Sequence, residues 1–351
     1  MTVPVFKVAI AHAAPVFLDL AATVEKTCSL IQEARRNGAG LVAFPETFIP
    51  AFPVWSALRS PIYNHDLFCR LAANSMLVPG PELDRVCDTV KQAGVIVSLG
   101  FNERSDASLG CIFNSNVLIG EDGTVLNHHR KIVPTFYEKL SWAAGDGAGL
   151  RVCDTACGRI GMLICGENTN PLARYTMIAQ GEQVHVSSYP PIWPTHDPQD
   201  GGNYDLADAI RLRAGAHSLE AKAFNVVASG FLDQAMLESL SDLHPDAARI
   251  LEGSPRSLSL VTGPSGQIVS DVISDEEGML YADIDIAQCV APKQIHDISG
   301  GYNRFDIFQL TVDRSANRPV TFVSDQTAAP CTDHDQPPGP DSSQANLEPR
   351  E

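Results

Sequence analysis

Residues 158–171 read GRIGMLICGENTNP, an apolar run that ends on Cys165 and is followed by polar residues up to Pro171. A short apolar run between glycine and polar residues predicts a buried strand, and proline favours the first position of a helix. The stretch therefore predicts a strand that delivers a thiol to the start of a helix. Because a helix N-terminus carries a positive partial charge that favours thiolate over thiol, we expect Cys165 to be nucleophilic at neutral pH.

Two upstream segments also end on a polar side chain after a short apolar run. Residues 41–44 lead to Glu46. Residues 124–130 form the second arm of a predicted hairpin that ends on Lys131. Taken singly, Glu46 is typical of a turn, Lys131 of a solvated strand edge, and Cys165 of a small core residue. Because open sheets collect ligands and chemistry at strand ends, the three together favour one shared site.

Predicted strands and helices alternate along the rest of the chain, which favours an α/β fold. Apolar runs predict strands at residues 7–11, 41–44, 95–100, 184–188 and 225–229. Helical spacing and capping residues predict helices that begin after Asp19 and at Pro81 and that span residues 171–182 and 205–223.

Two hairpin signals, at residues 116–126 and 258–269, repeat one design. They predict two halves of similar construction and hence a pair of sheets. The stretch 232–253 reads as an insertion, either near a further contact surface or as a solvent-exposed helical excursion.

In these segments the chain resembles the nitrilase branch of the carbon–nitrogen hydrolases. The motifs that carry the resemblance are Phe44-Pro45-Glu46, His129-Arg130-Lys131-Ile132 and Cys165-Gly166-Glu167-Asn168. Glu138 falls where the family has a second glutamate. Residues 297–306 are similar to a further element of the family, although Gly301 stands where histidine is common and Gly166 replaces a frequent tryptophan. The resemblance runs from about Lys7 to about Phe308.

The resemblance implies a four-layer α-β-β-α sandwich over residues 1–323. It implies a catalytic set of Glu46, Lys131 and Cys165, with Glu138 beside them, and no cofactor or metal. It also implies a homodimer that assembles into larger homo-oligomers or spirals.

A nitrile carbon is a weak electrophile, so its hydrolysis needs a sulfur nucleophile, a base and a proton source. Cys165 would attack, and Glu46 would be the base, its pKa raised by burial and by Glu138. Lys131 would protonate the nitrogen and stabilise a later oxyanion. The product is then a carboxylic acid and ammonia, or an amide if the thiolate leaves first.

Four alternatives to a nitrilase remain open at this point. An amidase or carbamoylase of the same superfamily would use the same three residues, and a cyanide hydratase would stop at formamide. A non-catalytic scaffold would normally have lost a member of the set. A cysteine–histidine hydrolase would need a histidine that orients Cys165, and no histidine stands in such a context.

A substrate pocket is predicted from residues that follow strand ends on the same side of the sheets. Phe52, Trp55, Tyr189, Pro190 and Trp193 could wall an apolar cleft. The absence of a side chain at Gly166 leaves room beside the nucleophile, which favours bulky or arylaliphatic nitriles.

Composition bounds the class of protein. Hydrophobic residues make up 44% of the 351, enough for a substantial core. A net charge of -17 argues against nucleic acid or an anionic membrane as a partner. The nine cysteines have irregular spacing, and Cys153 and Cys157 lack the further ligands of a metal site. With no long apolar segment at the start, we expect a cytoplasmic protein with a disordered acidic tail, rich in proline and serine, at residues 324–351.

Overall fold

The structure, a computed structural model, describes residues 3–318 and Val320. Within this part of the chain, the residues up to Asn317 form one compact unit. The predicted disordered tail at 324–351, and with it the predicted boundary at residue 323, lies outside the described residues.

Two mixed sheets form the centre of this unit. The first has the order β11-β1-β2-β3-β4-β5 and the second the order β10-β9-β8-β7-β6. The strands are β1 Val5–His12, β2 Ala39–Ala43, β3 Ile96–Arg104, β4 Ile112–Ile119, β5 Val125–Arg130, β6 Cys153–Thr155, β7 Gly158–Ile164, β8 Val184–Tyr189, β9 Phe224–Ser229, β10 Leu260–Thr262 and β11 Gly278–Asp285.

Helices connect these strands. They are α1 Leu20–Arg36, α2 His65–Ala73, α3 Pro81–Ala93, α4 Pro171–Ala179, α5 Leu206–Ala221, α6 Gln234–Ser241, α7 Ala247–Gly253 and α8 Val290–Ile295. The Asp19 side chain caps α1 by accepting from the Ala22 amide at 2.9 Å, as the sequence predicts. No helix among the described residues has an apolar stretch long enough to cross a membrane.

The two sheets pack face to face through alternate side chains of their strands. Along β1, Val8 and Ile10 belong to a buried cluster that includes Met162 of β7. Ala9 and Ala11 belong to a different cluster, on the other face of the first sheet. Because successive side chains of a strand point to opposite faces, one strand serves two layers.

Helices cover both outer faces. Ile31 of α1 and Val86 of α3 are buried against the first sheet. On the second sheet, Met177 of α4 packs under Leu163 of β7, and α5 packs in the same way on β9. The result is a four-layer α-β-β-α sandwich, so the predicted fold class is confirmed.

The second predicted hairpin forms only in part. Its first arm is β10, and across the turn Ile268 bridges to Thr262 and the Val269 amide donates to the Val261 carbonyl at 2.9 Å. In a regular ladder the Val261 N–H would donate to a backbone carbonyl of the partner strand. Here it donates to the Ser270 hydroxyl at 2.8 Å. The side chain thus takes over a ladder hydrogen bond, and the second arm is not a regular strand.

The stretch 232–253 forms α6 and α7, and it is not a solvent-exposed excursion. Met236, Leu240, Ala247 and Leu251 are buried in the cluster that contains Trp55. The predicted helical structure is confirmed, but the prediction of a solvent-exposed excursion is wrong, because one side of this segment supplies apolar side chains to a core. Its role near a further contact surface stays a prediction.

Candidate active site

The three predicted strand ends converge between the two sheets. Lys131 follows β5, Cys165 follows β7, and Glu46 lies three residues after β2. The Lys131 ammonium donates to Glu46 Oε1 at 2.7 Å and to Glu138 Oε2 at 2.7 Å. One carboxylate oxygen of Glu46, one of Glu138 and the Cys165 Sγ all lie within 4.8 Å of one another. All four residues are at most 5% exposed.

The loop after β2 places Glu46 by a close approach to β3. A Cβ added to Gly100 would overlap the Pro45 carbonyl oxygen and stand 2.8 Å from the Thr47 amide nitrogen. Only glycine therefore lets the loop come this near. The Asn114 side chain of β4 then donates to Glu46 Oε1 at 2.6 Å. Glu46 Oε2 has no hydrogen-bond partner among the described residues.

A short 3-10 turn, Phe136–Leu140, places Glu138. Its capping residue Thr135 donates its amide to Glu138 Oε2 at 2.7 Å, so the carboxylate both caps the turn and accepts from Lys131. Phe136 has a φ of 51°, a strained conformation for a side chain of this size.

Cys165 also has a strained backbone, with a φ of 46°. It opens a 3-10 turn, Cys165–Thr169, and α4 begins only at Pro171. The sequence predicts a thiol that faces the start of an α-helix. In the structure the thiol lies instead at the start of the 3-10 turn. Burial raises the pKa of Cys165 well above its ordinary value, the negative charge of Glu46 raises it further, and Lys131 opposes them. The expectation that a helix start favours the thiolate is wrong, and Cys165 needs a base.

Glu46 has the acidity of such a base. Burial raises its pKa to about 7, with Glu138 adding to the rise and Lys131 opposing it. The predicted direction and causes are confirmed. Burial opposes the charge on Lys131, but Glu138 and Glu46 outweigh it and hold the pKa of Lys131 well above its usual value. The cation therefore stays charged beside a carboxyl group that titrates near neutral pH.

Some of the predicted pocket residues are aromatic neighbours of this site. The Trp193 ring stacks on Tyr137 with centroids 5.6 Å apart and meets Tyr204 edge-on at 5.2 Å. Tyr189 ends β8 fully buried, and its hydroxyl has no partner among the described residues. Trp55 is packed in the cluster described with α6 and α7. Pro190 follows β8 and is also buried. Their role as pocket residues stays a prediction.

Gly166 does not leave the room that its sequence context predicts. A Cβ at Gly166 would stand 2.8 Å from the Thr135 hydroxyl oxygen. The space beside the nucleophile is thus filled by the residue that caps the Glu138 turn, and the argument for bulky nitriles from Gly166 is wrong. Gly166 itself still lies next to the thiol.

Sequence reasoning missed a buried polar network behind the nucleophile. Asn168 donates to the Cys165 carbonyl at 3.1 Å and accepts from His185 at 2.9 Å. Glu182 contacts both His185, at 2.9 Å, and His217, at 2.5 Å. The sequence places Asn168 three residues after Cys165, which is a signal, but nothing in it joins positions 182, 185 and 217.

Two groups of side chains bring three possible metal ligands together. One ligand atom each of Glu182, His185 and His217 lies within 4.8 Å of the others, as for Glu46, Glu138 and Cys165. In both groups the side chains other than Cys165 hydrogen-bond to one another or to Lys131, although Glu46 Oε2, Glu138 Oε1 and His217 Nδ1 have no partner among the described residues. That the protein uses no metal or cofactor stays a prediction.

Comparisons with known proteins agree with this geometry. The family model for carbon–nitrogen hydrolases matches residues 7–294. An arylacetonitrilase of Hypocrea virens is 36% identical over 319 residues, which cover 90% of this chain and 94% of that protein. A nitrilase of Pseudomonas syringae pv. syringae is 35% identical over 321 residues, which cover 91% and 93%.

Solved structures share the fold. The NitFhit protein of C. elegans aligns with a TM-score of 0.68 at 17% identity, over 91% of this chain and 70% of that one. Nit3 of Saccharomyces cerevisiae, a member of branch 10 of the nitrilase superfamily, aligns with a TM-score of 0.63 at 17% identity, over 83% and 94%.

Proposed function

The chain belongs to the carbon–nitrogen hydrolase family, and on that premise we propose that it is a nitrilase, converting an organic nitrile and two waters to a carboxylic acid and ammonia. The observation that carries the proposal is the buried contact of Lys131 with both Glu46 and Glu138 beside the Cys165 thiol. Relatives named nitrilase or arylacetonitrilase, similar over nine-tenths of the chain, support the choice of nitrile as substrate.

The first half of the reaction joins the substrate to sulfur. Glu46, with a pKa of about 7, takes the proton of Cys165 as the sulfur attacks the nitrile carbon. A C–S bond forms and one C–N π bond breaks, which gives a thioimidate. The proton that its nitrogen needs comes from Lys131 or through the protonated Glu46, both within the same buried cluster.

The second half releases the products. A first water adds to the thioimidate carbon, and Glu46 or Glu138 accepts its proton. Lys131 stabilises the charge that develops on the tetrahedral intermediate. Expulsion of ammonia leaves a thioester, and a second water breaks the C–S bond to give the acid. Expulsion of the thiolate from the same intermediate would give the amide.

Arylacetonitriles are the substrates that we propose. Relatives named arylacetonitrilase support this class. So does the aromatic group Tyr137, Trp193 and Tyr204, since aromatic rings favour stacked or edge-on partners. Tyr137 directly precedes Glu138 in the chain, and a carboxylate oxygen of Glu138 lies within 4.8 Å of the Cys165 sulfur, which supports a role of this aromatic group in the substrate pocket.

A homodimer that extends into larger homo-oligomers is proposed for the assembled enzyme, with residues 1–323 as its catalytic domain. Leu172 of α4 is 61% exposed and Leu212 of α5 is 68% exposed, both on the outer layer of the second sheet. The cytoplasm is the proposed compartment, because the cysteines of the described residues are all free thiols. Size-exclusion chromatography with light scattering tests the assembly, and a monomer at micromolar concentration would contradict it.

Product analysis tests the activity. Purified protein and its Cys165→Ala variant are incubated with phenylacetonitrile, an aliphatic dinitrile, cyanide and the matching amides, and ammonia, acid and amide are quantified. We expect acid and ammonia from phenylacetonitrile, and none with the variant. Turnover of amides alone, or of cyanide to formamide, would overturn the nitrile assignment while keeping the thiol mechanism.

A further inference from the structure

One carboxylate joins the ends of two strands that belong to different sheets. Glu167 Oε2 accepts the backbone N–H of Ile164 at 2.7 Å, and Glu167 Oε1 accepts the backbone N–H of Ile132 at 2.7 Å. Ile164 immediately precedes Cys165, and Ile132 immediately follows Lys131. The two bonds therefore connect the peptide next to the nucleophile with the peptide next to the cation.

A buried histidine holds this carboxylate from the side of β5. The Nε2 of His129 lies 3.1 and 2.9 Å from the two oxygens of Glu167. The Nδ1 of His129 has no partner among the described residues, so the Nε2 carries the proton that is donated. Burial opposes the charge on Glu167, but His129 and the two backbone N–H groups outweigh it and lower the pKa of Glu167. The carboxylate is ionised at neutral pH.

We propose that Glu167 is a positioning residue that fixes the separation of Lys131 and Cys165 for the reaction. This inference rests on the proposed function. The buried cluster that the two sheets share is apolar, and hydrophobic contact is not directional. Hydrogen bonds to a charged acceptor are short and directional, so they set the register that apolar packing leaves free. An error of about 1 Å in such a site can cost about a hundredfold in rate.

The geometry requires a carboxylate and not an amide. Both oxygens of Glu167 accept a backbone N–H, and both also contact His129. A glutamine has the same shape, but in either orientation its NH₂ group would face an N–H donor. Glu167→Gln therefore loses one of the two links at nearly constant volume.

A second buried carboxylate supplies a matched control. Glu103 on β3 accepts from the Ser115 hydroxyl at 2.5 Å, from His128 at 2.8 Å and from Arg130. These partners all belong to the first sheet, and within the described residues none of them hydrogen-bonds to Cys165 or to its chain neighbours. Glu103→Gln thus disturbs a buried carboxylate network without cutting the link between the sheets.

The experiment measures two properties of the full chain. The first is kcat and KM for phenylacetonitrile. The second is the rate at which iodoacetamide alkylates Cys165 between pH 6 and pH 9, followed by mass spectrometry of its peptide. For Glu167→Gln we expect kcat and the alkylation rate to fall by at least about tenfold and KM to stay within about threefold. Glu103→Gln should lower thermal stability but keep both rates within about threefold of the parent.

Two outcomes would overturn the proposal. One is a Glu167→Gln variant with both rates within about threefold of the parent, and the other is an equal loss of both rates in Glu103→Gln. Alkylation needs no nitrile, so its slowing in Glu167→Gln supports the positioning role even if no nitrile is turned over. A protein that turns over no nitrile would contradict the proposed function alone.

Two variants of His129 keep the test decisive if Glu167→Gln does not fold. His129→Gln retains an amide N–H close to the place of Nε2, whereas His129→Leu retains none. We expect the glutamine variant to keep kcat within about tenfold of the parent and the leucine variant to fall further, with unchanged KM in both. Equal rates of turnover and alkylation in the two variants would overturn the proposal.

Discussion

Replacing the buried base by its amide should stabilise the protein at high pH while it abolishes turnover. Glu46 Oε1 accepts from Lys131 and Asn114, and Oε2 has no partner among the described residues. In Glu46→Gln the carbonyl keeps both donors, and the new NH₂ group takes the position of Oε2. The variant therefore removes a buried negative charge without leaving a cavity.

The size of the effect follows from the pKa of Glu46, which rises from 4.5 to about 7 on folding. A difference of about 2.5 pKa units corresponds to roughly 3 kcal/mol, since one unit is about 1.4 kcal/mol. Because the folded pKa is the higher one, the contribution of Glu46 is fully present below pH 4.5 and is lost as the pH rises through 7. The variant has no such loss. We expect equal free energies of unfolding at pH 4.5 and a variant that is more stable by roughly 3 kcal/mol at pH 8.

Denaturant unfolding of parent and variant at pH 4.5, 6, 7 and 8 measures this difference. Glu103→Gln is the control of opposite sign, because its partners, chiefly His128 and Arg130, outweigh burial and hold the pKa of Glu103 at about 2. Its stabilisation is present above pH 4.5 and lost as the pH falls towards 2, so that variant should be less stable than the parent at pH 8. A Glu46→Gln variant that is less stable at pH 8, or whose difference from the parent does not change with pH, would refute the reasoning.

Three further predictions follow from the same geometry. kcat/KM should rise with pH through about 7, as Glu46 ionises, and a flat profile between pH 5 and 9 would contradict its role as base. Gly100→Ala should lower the melting temperature and the turnover, at a cost of about 1–3 kcal/mol, because its Cβ overlaps the Pro45 carbonyl; Gly110→Ala, with open space, should do neither. Leu251→Ala in α7 should cost about 2–5 kcal/mol by denaturant unfolding, whereas a loss under 1 kcal/mol would mean that the segment 232–253 is not part of a core.

The fold could be predicted largely from local patterns, because strand and helix periodicity is written in neighbouring residues. The bounds of β2, β8 and β9 are within two residues of the predictions. β11 was missed although its exposure alternates from Leu280 to Asp285, a period-2 signal. Its place beside β1 depends on pairing across about 270 residues, which no local pattern contains.

The site divides in the same way. That Glu46, Lys131 and Cys165 meet could be predicted, because strand ends of packed sheets collect at one edge. The acidity of Cys165 could not, because it depends on burial by residues from both sheets, and the helix start that favoured a thiolate lies further along the chain. The roles of Glu167 and Asn114 also depend on partners that are distant in sequence.

A base beside an undissociated thiol is the arrangement that a dry site favours. A resting thiolate at Cys165 would add a third negative charge to a cluster in which Lys131 already faces two carboxyl groups. Isolated charges in such surroundings cost several kcal/mol each. Transfer of the thiol proton to Glu46 creates the thiolate and neutralises a carboxylate in one step, so the total charge of the buried cluster does not change. The raised pKa of Glu46 is what makes this exchange accessible, because the proton moves to a group whose own ionisation burial already disfavours.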